Sequence, residues 1–143
     1  MSTLSVQQPK GEASSRPTIY VVDDEPLMLN LTEMALASGG WNLRSFTDPE
    51  KALAALAAAD PKPKLLITDH IMTGLNGLEL AEQCRRLFPP LKVIVVSGSA
   101  DEDVIGQAST VLDGFVPKPY RAQELLSLVS SILAESDEPH SGR

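Results

Sequence analysis

Three short runs, Thr18–Val22 (TIYVV), Lys64–Thr68 (KLLIT) and Leu91–Val96 (LKVIVV), are built almost entirely of apolar residues without alternation. A strand with one face in water alternates apolar and polar side chains. Continuous runs of Val, Ile and Leu instead mark strands covered on both faces, as in a parallel sheet. Two further strand-like runs lie at Trp41–Phe46 and Gly114–Val116. Parallel neighbours need a crossover, usually a helix, and helical patterns fill the gaps.

The first helical segment carries Leu27, Leu31, Met34 and Ala35 as its apolar stripe, which predicts that these four face the core. The second opens at Asp48-Pro49, an N-cap followed by proline at the first helical position, and offers Ala52, Leu53, Leu56 and Ala57 for burial. The third offers Leu80, Ala81, Cys84 and Leu87. The fourth, around Ala100–Ala108, is the weakest, with acids at its start and Gly106 inside, a glycine costing about 1 kcal/mol relative to alanine. The last has the cleanest stripe: Ala122, Leu125, Leu126, Val129, Ile132 and Leu133. This alternation predicts an α/β fold, a doubly wound five-stranded parallel sheet with helices on both faces. The expected domain spans residues 17–135, between disordered tails at 1–16 and 136–143 that are rich in Ser, Pro, Glu and Gln without periodicity.

Composition excludes several functions. The net charge is −7, and no Lys/Arg cluster provides the basic face that nucleic-acid phosphates require. No apolar stretch reaches the roughly 20 residues of a membrane span, and Met1 to Arg16 lacks the apolar core of a secretion signal. A single cysteine, Cys84, rules out an internal disulfide or a cysteine-cluster zinc site, and two histidines make a His-rich metal site untenable. The expected location is the cytoplasm. Cys84, on a buried stripe, reads as packing, and Trp41 as packing at a strand start. His70 reads as a partly exposed loop residue shaping access to its neighbour Asp69. Tyr120 and Leu128 read either as scattered exposed apolar surface or as part of a partner-binding face.

In open parallel sheets the chemistry gathers at the carboxyl ends of the strands. There the sequence delivers Asp23-Asp24-Glu25, then Asp69, then Ser97-Gly98, and finally Lys118-Pro119. Clustered carboxylates repel one another, and a hard divalent cation such as Mg²⁺ relieves that repulsion through oxygen ligands. A lysine and a hydroxyl suit the remaining oxygens of a phosphoryl group, and a carboxylate facing phosphorus is a nucleophile for an acyl phosphate.

This ordered set, Asp23-Asp24, Asp69, Ser97 and Lys118-Pro119, resembles the receiver domain of two-component response regulators, of the chemotaxis-regulator type, from about Thr18 to Glu135. The resemblance implies a flavodoxin-like strand order 2-1-3-4-5. It implies that Asp69 accepts a phosphoryl group from the phosphohistidine of a histidine kinase or histidine phosphotransfer protein. Mg²⁺ would be held by Asp24 and Asp69, by Asp23 more through water, and by the backbone carbonyl of Ile71. Ser97 would hydrogen-bond the phosphoryl group and Lys118 would pair with it. Phe115 falls at the switch aromatic position, Asn76-Gly77 at the turn opening the third helix, and Pro119 is expected to follow a cis peptide bond. Thr73 stands where the family usually has proline. Phe115 lacks a hydroxyl, so its switching would rest on packing, and the usual Gly-Ala before the fifth strand is missing.

The resemblance further implies a signalling module that catalyses only its own phosphorylation and dephosphorylation, so not an enzyme in the ordinary sense. A downstream protein partner would bind the face made by the fourth helical segment, the fifth strand and the last helix, and a weak homodimer is compatible with it. With eight residues after Glu135, the expectation is a stand-alone receiver or a receiver cut from a hybrid kinase or longer regulator. A Mg²⁺-dependent aspartyl phosphatase is an alternative, although such enzymes place a second aspartate where Ile71 stands. A nucleotide- or flavin-binding module would need a Gly-rich loop after the first strand, where this chain has Asp-Asp-Glu-Pro.

Overall fold

The computed structural model describes residues 16–98 and 112–137. Five strands form one sheet: β1 (Thr18–Val22), β2 (Asn42–Phe46), β3 (Leu65–Asp69), β4 (Lys92–Ser97) and β5 (Gly114–Pro117). The order across the sheet is β2-β1-β3-β4-β5, and every neighbouring pair is parallel. The helices are α1 (Pro26–Leu36), α2 (Pro49–Ala58), α3 (Gly77–Leu87) and α4 (Ala122–Asp137), with a single 3-10 turn at Ala37–Gly39 after α1. The expected fourth helical segment, Ala100–Ala108, lies outside the described residues.

The period-two geometry of a strand splits the continuous apolar runs into two cores. Ile19 and Val21, Leu65 and Ile67, Ile94 and Val96 face one side, where Leu29 and Leu36 of α1 and Leu125, Val129, Ile132 and Leu133 of α4 cover them. Tyr20 and Val22, Leu66, Val93 and Val95 face the other, under Ala52 and Leu56 of α2 and Leu80, Ala81 and Cys84 of α3. The helices therefore lie on both faces of the sheet.

Local chemistry sets the helix starts. Asp48 accepts the Glu50 N–H at 2.9 Å and caps α2, with Pro49 at the first helical position. Asn76 and Glu79 exchange side-chain-to-backbone hydrogen bonds at the start of α3, a capping box. Pro117 is tolerated in β5 because β5 is an edge strand, where a missing N–H breaks no ladder on its outer side. At the opposite end of the sheet, Asp113 accepts the Val93 N–H at 2.8 Å and pairs with Arg85 at 3.1 Å, which ties the entry of β5 to β4 and α3.

Two expectations about burial are overturned. In α1 the buried residues are Leu29, Thr32 and Leu36, whereas Leu27, Leu31 and Met34 are 70%, 47% and 66% exposed. Of the expected stripe only Ala35 packs against the core, as a partly buried contact. Leu29, Thr32 and Leu36 fall at i, i+3 and i+7, a helical face as regular as the expected one. Thr32 masks that face in the sequence because its hydroxyl is satisfied inside the fold, sharing a 2.9 Å hydrogen bond with Tyr120. His70, expected to be partly exposed, is 5% exposed. Its N–H donates to Val96 O at 3.1 Å and its carbonyl accepts from Gly77 at 2.8 Å, so the backbone stays strapped between β4 and α3 beyond the end of β3.

Smaller differences concern the edges of each stripe. Leu87 is 47% exposed at the end of α3, Ala57 is exposed in α2, and Ala122 is exposed in α4. Tyr120 and Leu128 are neither scattered surface nor free: both are half-buried against the α1/α4 core. Trp41 packs against the same core just ahead of β2.

Candidate functional site

The sheet order places β1 and β3 side by side and β4 and β5 next in line, so their carboxyl ends form one rim. Asp23 follows the last residue of β1, and its N–H donates to Phe46 O at 3.1 Å. Its Oδ1 accepts the Glu25 N–H at 3.0 Å, which turns the chain into α1 and fixes the carboxyl inward at 6% exposure. Asp69 is the last residue of β3. Asp24 Oδ2 accepts both the Thr73 N–H at 2.9 Å and the Thr73 hydroxyl at 3.2 Å.

Asp23, Asp24 and Asp69 each offer a carboxylate oxygen within a mutual span of 4.8 Å. Burial pushes the Asp23 carboxyl above its ordinary value, and the neighbouring charges of Asp69 and Asp24 push the same way against the Glu25 N–H and Lys118. Three carboxylates this close, one of them buried, form a donor set of the type a hard divalent cation takes. The residues therefore fit Mg²⁺.

Lys118 follows β5, and its N–H donates to Ser97 O at 2.7 Å. The Lys118–Pro119 peptide bond is cis. The ammonium reaches Asp69 Oδ1 at 3.0 Å. Burial acts to lower the Lys118 pKa, but the hydrogen bond and charge of Asp69, with the charges of Asp23 and Glu25, outweigh it, and the net shift is upward. The ammonium therefore holds one oxygen of Asp69, Oδ1.

The other expected residues lie close by with less defined roles. Ser97 ends β4 and is 1% exposed. Phe115 is half-buried in β5 against the α2/α3 core. The Ile71 side chain is 61% exposed two residues beyond Asp69. Gly77 is required by a close approach: a Cβ there would meet Asp69 O at 2.5 Å and His70 Cα at 2.9 Å, both backbone atoms. Cys84 is buried in the core, which pushes its thiol up to about 12 and leaves it chemically quiet.

Two features were missed in the sequence. One is the Thr73 clamp on Asp24, whose only signal was a threonine where proline was expected. The other is a groove of about 580 Å³ between α1 and the start of α4, lined by Met28, Leu31, Ala35, Pro119 and Tyr120 and reached by Lys118. It follows from the face of α1 that the apolar pattern misassigned.

A parallel sheet in this order, with an acidic triad and a lysine at its carboxyl rim, defines a class of signalling proteins. Residues 19–130 match the family described as the response regulator receiver domain, and the chain belongs to that family. It is 31% identical over 117 residues to the transcriptional regulatory protein TcrX of Mycobacterium tuberculosis, covering 81% of this chain and 49% of TcrX. It is 32% identical over 130 residues to the DNA-binding transcriptional regulator NtrC of Salmonella typhimurium, covering 90% of this chain and 27% of NtrC. The chain thus spans half or less of the length of these relatives. Among solved structures, TrrA of Thermotoga maritima, in complex with Mg(2+)-BeF, superimposes with a TM-score of 0.73 at 28% identity, covering 81% of this chain and 98% of that one. A CheY-like receiver protein from Methanospirillum hungatei gives 0.77 at 25% identity, with 85% and 97% covered.

Proposed function

We propose that this chain is a phosphoacceptor in two-component signal transduction. A histidine kinase or histidine phosphotransfer protein, acting in the cytoplasm, transfers a phosphoryl group to Asp69. The observation that carries this reading is the pairing of Asp69 with Lys118 at 3.0 Å beside Asp23 and Asp24. An Asp69 oxygen attacks phosphorus, the P–N bond of a phosphohistidine protonated on its other ring nitrogen breaks, and an acyl phosphate forms on Asp69 while the imidazole, keeping that proton, leaves as the neutral ring.

Asp23, Asp24, Asp69 and the Ile71 carbonyl hold Mg²⁺ in this reading. When bound, the cation would supply positive charge to the phosphoryl oxygens during transfer. Lys118, already positioned on Asp69, follows the negative charge onto the new phosphoryl group, and Ser97 hydrogen-bonds it. Such a local charge change can bias a two-state packing element. Phe115, half-buried beside β4, is the residue that would repack, and the partner-binding face would be that of the fourth helical segment, β5 and α4. The chain's chemistry is confined to its own phosphorylation and dephosphorylation. Its downstream partner is a protein, and nucleic acid is not contacted directly by this part.

The test is mass spectrometry after incubation with acetyl phosphate and Mg²⁺. The wild-type chain gains one phosphoryl group and Asp69→Asn gains none. Equal labelling of the two, or no labelling of the wild type, overturns the reading.

A further inference from the structure

The loop after β3 does something unusual with Asp24. One residue, Thr73, donates two hydrogen bonds to one carboxylate oxygen, from its N–H at 2.9 Å and from its hydroxyl at 3.2 Å. The two residues are 49 positions apart in the chain. Both hydrogen bonds fall on Oδ2, which is doubly engaged. Gly74 follows Thr73 at φ 88, a conformation glycine adopts without steric cost.

From this geometry we infer that Thr73 is a positioning residue for the divalent cation, acting through Asp24. A proline here would have neither the N–H nor the hydroxyl, so the clamp is a property of threonine at this position. Two hydrogen bonds to one carboxylate fix the plane of the group. A partly exposed aspartate otherwise rotates freely, and a cation must immobilise it on binding. With Oδ2 held by the loop, the Asp24 carboxylate would meet the cation already oriented. Removing partners that orient a metal ligand typically weakens the metal about 10- to 100-fold. The clamp also joins the loop after β1 to the loop after β3, so the two strand ends that carry the carboxylates are held at one separation before the cation arrives.

The inference rests on the proposed reading that Asp24 is a cation ligand, and the test separates the two. Mg²⁺ is titrated into the unphosphorylated protein without phosphodonor, and the amide shifts of Asp24 and Asp69 are followed by NMR. The variants are Thr73→Ser, Thr73→Val and Thr73→Pro. Serine retains both donors and should match the wild type within about twofold. Valine keeps the shape and the N–H but loses the hydroxyl, and should weaken Mg²⁺ about threefold to tenfold. Proline loses both donors and should weaken it about tenfold or more. Thermal unfolding without metal identifies any variant with a damaged fold, and the serine-to-valine comparison then decides. If the wild type does not respond to Mg²⁺, the functional reading itself fails. If the wild type binds but valine and proline bind equally well, the inference fails. It also fails if they bind more tightly, since Thr73 would then compete with the cation.

Discussion

Lys118 Nζ lies 3.0 Å from Asp69 Oδ1 although their strands are not neighbours: β4 runs between β3 and β5. The lysine reaches over the end of β4, and its own N–H is anchored there on Ser97 O at 2.7 Å. Its folded pKa is raised above the ordinary 10.5, the opposing effect of burial being outweighed by Asp69, Asp23 and Glu25. For a base with a raised folded pKa, the stabilising contribution is complete below 10.5 and is lost as pH rises through the folded value. The pair is therefore intact across the neutral range. Asp69→Asn removes the largest opposing charge, so the Lys118 pKa should fall relative to the wild type. Titration of the Lys118 Cε resonance by ¹³C NMR reads this directly, and an unchanged pKa would mean that the contact is not formed in solution.

Asp23 should behave in the opposite sense. Its pKa is raised by burial first and by the charges of Asp69 and Asp24 next. For an acid this means that the fold favours the protonated form, so the carboxylate is a destabilising charge above its folded pKa. That penalty is relieved as pH falls through the folded value toward 3.8. Asp23→Asn, which can still accept the Glu25 N–H, should stabilise the metal-free protein at pH 7. The gain should shrink as the pH is lowered into the acid range. It should also shrink when saturating Mg²⁺ is added, because the cation cancels the same repulsion in the wild type. Urea unfolding at two pH values, with and without Mg²⁺, distinguishes these effects.

Gly77→Ala tests how closely the acceptor loop is held. Alanine is the better helix former by about 1 kcal/mol, so a free helix start would gain stability. Here the added Cβ would sit 2.5 Å from Asp69 O and 2.9 Å from His70 Cα. Backbone atoms must move, and overpacking of this kind costs about 1–3 kcal/mol. The variant should melt lower than the wild type and accept phosphoryl from acetyl phosphate more slowly, since Asp69 is among the atoms displaced. A variant that is more stable and equally reactive would show that the loop yields freely.

The sheet was legible because its signal is redundant. Each of Thr18–Val22, Leu65–Asp69 and Lys92–Ser97 buries alternate residues on two sides, so a continuous apolar run admits few other readings. The acidic pocket was legible because its residues sit at strand ends, where topology alone brings Asp23, Asp24 and Asp69 together. Contacts between loops were not legible. Nothing in the pattern of residues 70–76 announces that Thr73 will bond Asp24, because the contact joins two loops 49 positions apart in the chain. His70 was misread for a similar reason: the hydrogen-bond ladder to Val96 continues past the last apolar residue of the run.

The face of α1 offers the sharpest mutational contrast. Two stripes compete on this helix, one through Leu27, Leu31 and Met34 and one through Leu29, Thr32 and Leu36, and hydrophobicity alone favours the first. The fold selects the second, because Thr32 meets Tyr120 at 2.9 Å where the loop after β5 enters α4. Leu36 is fully buried and Leu29 is 7% exposed. Truncating a buried leucine removes its packing and leaves a cavity, so Leu36→Ala should cost about 2–5 kcal/mol and Leu29→Ala somewhat less. Leu27→Ala and Met34→Ala remove mostly exposed surface and should fall within about 0.5 kcal/mol of the wild type. Tyr120→Phe strands the buried Thr32 hydroxyl and should cost about 1–3 kcal/mol although no carbon atom is lost. Chemical denaturation of the five variants ranks them. A larger loss at Leu27 or Met34 than at Leu29 would mean that α1 is turned the other way in solution.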